Sequence, residues 1–384
     1  MFQNRRHRGE NTNIIPKNNN HAMTKVVSIV GARPNFVKLA AVAETFDREF
    51  EHTVIHTGQH YDYEMSKVFF EQLRLRDPDI HLGVGSGSQG YQVGEIVKKA
   101  EEHLKSINPD VVVVYGDTNS TLAGALAAAK AGYPVAHVEA GLRSHDMKMQ
   151  EEINRRVVDH VSALLFAPTP SARDNLLKEN VPGKVFLTGD VHVDVLQKWI
   201  ESIQRSNILG RLGLLEGEYV MATIHRAENV DDPAKLAEVI KCLKELAALT
   251  KVVFPIHPRT RSRAEEAGLE KELYSNPNLV ATKPLGYVDF LRLVTGSKLV
   301  VTDSGGVQRE AYLLGKPAIV LRDRTEWIEL VQAEWVRLAD ANPARLVQEY
   351  KKLLEKPPAP QPGLLGDGKA AERITKTISE LMRR

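Results

Sequence analysis

The chain has 384 residues, of which 42% are apolar and 26% charged, the mixture of an ordinary soluble globular protein with room for two or three domains. A formal net charge of +2 and a single cysteine, Cys242, exclude a broadly basic nucleic-acid binder, a disulfide framework and a zinc site built on cysteine. The longest purely apolar runs, such as residues 111–115, fall far short of the roughly 20 residues that a membrane-spanning helix needs. Neither nucleic acid nor a membrane is therefore an expected partner.

In chain order, residues 1–23 come first. They carry Arg5, Arg6, Arg8 and Lys17 against Glu10, are rich in asparagine, and lack an apolar stretch like that of a secretory signal. Met23 follows just before the first strand-like run. We read this leader as a disordered extension or the product of an upstream start codon, and the remaining chain as close to neutral. Short β-branched apolar runs then recur at 26–30, 53–57, 111–115, 135–138, 164–167 and 185–188, and again at 220–223, 252–256, 279–281, 299–302, 318–321 and 336–338. Continuous rather than alternating apolar runs suit parallel strands covered on both faces. Helical patterns lie between them, for example 120–130, stopped by Gly132, and 232–248, opened by Pro233. The expected architecture is α/β, with two Rossmann-like doubly wound domains and a site in the cleft between them. A linker is expected near 190–218. A stiff proline-rich stretch at 357–363 precedes a final helix from about residue 368.

The polar residues just after the strands are the candidates for chemistry. After the first strand comes Gly31-Ala32-Arg33-Pro34-Asn35-Phe36-Val37-Lys38. There Gly31 allows close approach of a ligand, Pro34 opens a helix, and Arg33 and Lys38 suit phosphate oxygens; the alternative is a plain strand–helix turn with two solvated cations. Asp117, in Gly116-Asp117-Thr118, is either a site acid or a cap for the next helix. Glu139, in His137-Val138-Glu139-Ala140-Gly141, is an acid at a buried strand end. Glu151 and Glu152 open a helix whose dipole they would complement. In the second half, His225-Arg226 and His257-Pro258-Arg259 end strands. Asp303-Ser304-Gly305-Gly306 leads into a helix whose free amides fit a diphosphate, with Glu310 one turn further on, placed for two ribose hydroxyls.

Three patterns compete for notice. Gly85-Ser86-Gly87-Ser88-Gln89-Gly90 matches a dinucleotide fingerprint in spelling but follows no convincing first strand, and reads better as a mobile loop. Asp77-Pro78-Asp79 has the spacing of some metal-dependent sugar transferases. His56 and His60 stand four apart across a strand end. None amounts to a metal site, so no metal and no cofactor are expected.

Seven motifs in this order resemble the non-hydrolysing UDP-N-acetylglucosamine 2-epimerases over nearly the whole chain from Lys25. They are Gly31-Ala32-Arg33-Pro34, Thr57-Gly58-Gln59-His60, Gly116-Asp117-Thr118, His137 through Arg143, Glu151-Glu152-Ile153-Asn154-Arg155, His225-Arg226, and Asp303-Ser304-Gly305-Gly306 through Glu310. The resemblance implies a glycosyltransferase-B-like fold. Its first domain would span residues 24–195, joined by the C-terminal helix 367–384, and a UDP-binding second domain would span 205–366. It implies epimerisation at C2 of a UDP-N-acetylhexosamine, UDP-GlcNAc to UDP-ManNAc, by elimination of UDP to a 2-acetamidoglucal and re-addition. Carried over by position, the catalytic groups are Asp117, Glu139, Glu151 and His225. The nucleotide grip is Arg33, Lys38, Ser304, Gly305, Gly306 and Glu310, with Phe290 near the uracil. A cytoplasmic homodimer serving polysaccharide biosynthesis is implied as well.

The chain departs from the family pattern at Asn35, where many members have Glu, and at Gln150, where Pro is usual. Leu285 replaces a Gln, and Trp327 in Thr325-Glu326-Trp327-Ile328-Glu329 replaces the Arg of Thr-Glu-Arg-Pro-Glu. These changes resemble the branch that includes epimerases of UDP-2,3-diacetamido-glucuronic acid, so that sugar is the alternative substrate for the same chemistry. Readings of another class are a glycosyltransferase of the same architecture and a non-catalytic nucleotide-sugar sensor.

Overall fold

A computed structural model describes residues 23–59 and 67–382. The leader, apart from Met23, and His60 lie outside the described residues. Among those described, thirteen strands form two sheets. The first contains β1 (Lys25–Val30), β2 (Glu51–His56), β3 (Ile80–His81), β4 (Val111–Tyr115), β5 (Val135–Val138), β6 (Leu164–Ala167) and β7 (Lys184–Leu187). The second contains β8 (Tyr219–Thr223), β9 (Lys251–Pro255), β10 (Leu279–Thr282), β11 (Val300–Thr302), β12 (Ala318–Val320) and β13 (Val336–Leu338). The orders are β3-β2-β1-β4-β5-β6-β7 and β10-β9-β8-β11-β12-β13, and every pairing is parallel.

The twelve apolar runs are all strands; the central ones are buried on both faces between helices, whereas β7, β10 and β13 at the sheet edges are partly exposed. β3 is a thirteenth that no run announces. It is two residues long, pairs Ile80 with Ile55 and His81 with His56, and is held by the edge of β2 rather than by its own composition.

The stretch expected to be a linker is instead helical over Val191–Arg205. Val191, Val195, Leu196, Trp199 and Ile203 pack into the same core as Phe36, Val42 and Phe46 of the helix Arg33–Glu49. The C-terminal helix Ala370–Met382 returns to this core through Ala370, Ile374, Ile378 and Met382. Its first amides are received by Asp194, whose carboxylate accepts from Ala370 N at 3.3 Å and Ala371 N at 3.0 Å. A second cluster joins the two halves: Ala140, Leu142, Leu165 and Ala172 pack with Tyr219, Met221, Val300 and Ala311. None of the described helices is long and apolar enough to cross a membrane.

Candidate active site

Strand order reverses between β1 and β4 in one sheet and between β8 and β11 in the other. In an open α/β sheet, ligands bind beyond the carboxyl ends of such strands. Residues 31–38 follow β1, Gly116-Asp117 follows β4, Glu139 follows β5, His225 follows β8 and Ser304-Gly305-Gly306 follows β11. The expected residues thus gather at two switch points that face one another across the halves.

Glu139 leaves β5 with φ 74°, a left-handed conformation that costs an ordinary residue about 1 kcal/mol or more and is kept where surrounding contacts enforce it. Here the amides of Glu139 and Ala140 both donate to Phe166 O, at 3.1 and 3.0 Å. The bend sends the buried carboxylate between two cations, Lys38, with Nζ 3.3 Å from Oε1, and the guanidinium of Arg309.

Asp117 does not cap the helix after it. Thr118 does, accepting from Thr121 N at 3.3 Å, which leaves Asp117 to receive Arg155 Nη2 at 2.6 Å. Burial raises the pKa of Asp117, but the charges of Arg155 and Lys38 outweigh it and hold the carboxyl below the ordinary range. Of the adjacent glutamates, Glu152 is fully buried and accepts from Ser144 N at 2.8 Å and Ser144 Oγ at 3.0 Å. Glu151 keeps a partly exposed carboxylate 3.8 Å from Arg226 Nη1 of the other half.

Several unpredicted side chains hold these turns. Asn35 Oδ1 accepts from Ala32 N at 3.2 Å and Thr118 Oγ1 at 3.0 Å, while Nδ2 donates to Tyr115 O at 2.7 Å. The residue that departs from the family pattern therefore ties the ends of β1 and β4 together. His137 bridges Gly116 O and Asp159, each at 2.7 Å, and Asp159 also accepts from Gly141 N at 3.1 Å. No spacing in the sequence pairs Asp159 with these turns, since the contacts form across helix and sheet.

On the nucleotide side, the buried Asp303 accepts from the amides of His225 at 3.0 Å and Arg226 at 2.9 Å and from Asn229 Nδ2 at 3.1 Å. This pins the His225 turn. Its ring stacks on His257 at 5.1 Å. Burial keeps its pKa below the usual histidine value against the pull of Asp303, with Arg226 also lowering it, so the imidazole is neutral at pH 7. Ser304 precedes the helix Gly305–Leu313 without capping it through its side chain, so the first amides of that helix stay available to an anion. A Cβ on Gly305 would strike the Glu326 carboxylate, which explains the glycine. Glu310 is buried one turn further on, and burial pushes its carboxyl up to about 7, with Arg309, the Tyr287 hydroxyl and Arg33 offsetting part of the penalty. Phe290 is partly buried and packs between two core clusters.

Other readings change. The side of Gly31 that a Cβ would occupy is filled by Thr57 and Ser120, so the glycine is required by protein packing there and not by a ligand. Gly85 to Gly90 runs from an irregular segment into a helix: Ser88 caps the helix Gln89–Ile107, and Gln92 Nε2 donates to Gly85 O at 2.9 Å. Asp79 is structural, accepting from Val54 N at 2.7 Å and pairing with Arg76 at 2.7 Å. Buried His56 accepts from Gly58 N at 3.0 Å. One described group has the spacing of metal ligands, Glu139, Asp190 and His192. It already surrounds the guanidinium of Arg309, a permanent cation that competes with a metal ion for the same donors.

A family model described as UDP-N-acetylglucosamine 2-epimerase matches residues 44–379. A UDP-N-acetylglucosamine 2-epimerase homolog of Methanococcus maripaludis is 46% identical over 330 residues, 85% of this chain and 92% of the relative. The UDP-2,3-diacetamido-2,3-dideoxy-D-glucuronate 2-epimerase of Pseudomonas aeruginosa is 41% identical over 363 residues, 93% of this chain and 100% of the relative. The crystal structure of the Methanocaldococcus jannaschii UDP-GlcNAc 2-epimerase in complex with UDP-GlcNAc and UDP superposes with a TM-score of 0.89 at 40% identity, covering 93% of this chain and 100% of that one. The two doubly wound sheets therefore form the glycosyltransferase-B-like arrangement that the motifs imply. With a match across most of its length and relatives this similar over nearly their whole chains, the protein belongs to the family of UDP-N-acetylglucosamine 2-epimerases.

Proposed function

We propose that this protein inverts C2 of a UDP-N-acetylhexosamine, converting UDP-GlcNAc to UDP-ManNAc. The observation that carries the reading is the pair of ion contacts across the cleft, Glu139 with Arg309 and Glu151 with Arg226. They bring acids from the first half against the half that bears the Ser304-Gly305-Gly306 turn. The C2 proton of such a sugar is not adjacent to a carbonyl, so simple deprotonation is prohibitively slow. Elimination avoids this. A carboxylate takes the C2 proton as the C1–O bond breaks and its electron pair leaves with UDP, giving a 2-acetamidoglucal. Protonation of C2 on the opposite face and return of the UDP oxygen to C1 complete the inversion.

In this reading Asp117, Glu139 and Glu151 are the acid/base groups. His225, with Arg33, Lys38 and the amides of Gly305 and Gly306, stabilises the departing diphosphate. Ser304 belongs to the same grip, Glu310 receives the ribose and Phe290 lies near the uracil. We read residues 24–195 with the C-terminal helix as the first domain and 205–366 as the second, in a homodimer acting in the cytoplasm for polysaccharide biosynthesis. Incubation with UDP-GlcNAc in D2O should place deuterium at C2 and yield the manno epimer. A second substrate, UDP-2,3-diacetamido-glucuronic acid, is favoured by Trp327 and Leu285 and by the similarity to the Pseudomonas aeruginosa enzyme. Absence of exchange with both sugars would sink the proposal. Sugar transfer to an acceptor would favour a glycosyltransferase, and UDP binding without exchange a sensor.

A further inference from the structure

Arg309 has no part in the chemistry just described, yet it is buried where the two halves meet, against Glu139 and Asp190. It stands on the helix Gly305–Leu313 next to Glu310, and helical geometry turns it about 100° away from that residue. Its Nη1 donates to the Glu139 carboxylate and to Asp190 Oδ2 at 3.2 Å, and its Nη2 to His192 Nε2 at 3.2 Å. The guanidinium lies over the Trp327 ring, 4.7 Å from the centroid. Asp190 and His192 begin the helix Val191–Arg205, so Arg309 is held by residues from separate parts of the chain.

The protonation states fit a rigid clamp. Burial, with the charge of Arg309, pushes His192 down to about 4, which leaves a neutral ring able to accept at Nε2. Asp190 is held well below the carboxylate range: burial opposes its ionisation, but Arg309 outweighs it. The two oxygens of Glu139 are then divided between the halves, Oε1 to Lys38 from the first and Oε2 to Arg309 from the second. Trp327, standing where the family pattern carries arginine, supplies the shelf on which this guanidinium rests.

We propose that Arg309 is the positioning residue for Glu139. It grips Oε2 from the same helix whose N-terminal amides are open to the diphosphate, so that helix aims the acid acting at C2. The inference rests on the reading of Glu139 as a C2 acid/base group. A purely structural ion network would affect folding and nucleotide affinity together. A positioning role instead separates kcat from binding, because misplacing a reacting group by about 1 Å costs on the order of 100-fold in rate.

The test compares Arg309→Lys and Arg309→Met with wild type in the full chain, measuring C2 exchange from UDP-GlcNAc in D2O and UDP affinity by calorimetry. Both variants should bind UDP within about threefold of wild type and keep KM, while kcat falls about 100-fold in Arg309→Lys and further in Arg309→Met. Should Arg309→Met fail to fold, Arg309→Lys, which keeps the charge, decides alone. An Arg309→Lys variant with unchanged kcat, or one that loses UDP affinity in step with kcat, overturns the inference while leaving the epimerase reading intact. A wild-type chain that exchanges no deuterium with UDP-GlcNAc or with UDP-2,3-diacetamido-glucuronic acid overturns both.

Discussion

Glu139 combines three local demands: a left-handed backbone, burial, and a carboxylate divided between Lys38 and Arg309. Neutralising it leaves the cations but removes the proton acceptor. Glu139→Gln should therefore lower C2 exchange by about 100- to 10,000-fold, with UDP binding and circular dichroism unchanged; full activity in that variant would refute the assignment. Glu310 presents a second test at this scale. Its carboxyl is raised to about 7 by burial, so the folded state holds the proton more tightly than an unfolded chain, where the ordinary value is 4.5. The contribution of this group to stability therefore falls as pH rises between those values. A ribose diol prefers the ionised acceptor, so UDP should bind more tightly at pH 8 than at pH 6. Because the nucleotide phosphate titrates too, the comparison is with Glu310→Gln, in which the component due to this residue should disappear from calorimetric titrations.

At the level of elements, the C-terminal helix Ala370–Met382 depends on the first half for both its start and its buried face. Asp194 receives two of its first amides, and Ile374 and Ile378 are fully buried in the core it shares with Arg33–Glu49 and Val191–Arg205. Removing that cap with Asp194→Ala should cost about 1 kcal/mol, and Ile378→Ala about 2–5 kcal/mol through lost burial and a cavity. Urea unfolding measures both. Equal midpoints for wild type and Ile378→Ala would show that this helix is not docked as described. The same dependence explains the helix Val191–Arg205, whose side chains find their partners only when the distant helix Arg33–Glu49 is present.

Over the whole molecule, the two sheets share an apolar cluster and exchange contacts around the cleft. Tyr287 N donates to Gln72 Oε1 at 2.7 Å and Asp190 N to Leu365 O at 2.7 Å. Such continuity predicts one cooperative unfolding transition rather than two. UDP binds on this reading where the halves meet, so at 100 times its dissociation constant it should add about 2.7 kcal/mol to that single transition. Differential scanning calorimetry decides the matter: two transitions, only one of them moved by UDP, would contradict the shared core.

Twelve apolar strands, their parallel class, the two-sheet architecture and the order of the motifs that carry the family are all legible along the chain, because they rest on local patterns of burial and turn chemistry. The sequence also placed Asp117, Glu139, Glu151, His225 and Glu310 just after strands or at helix starts, where a parallel sheet directs its ligands. The tertiary structure alone decided which charges meet. Asp159 ties two turns, Asn35 links β1 to β4, β3 exists only through its neighbour, and Arg309 joins Glu139, Asp190, His192 and Trp327. Those contacts join residues from 18 to 170 positions apart along the chain. Their energies depend on distance and burial in space, which no local pattern encodes.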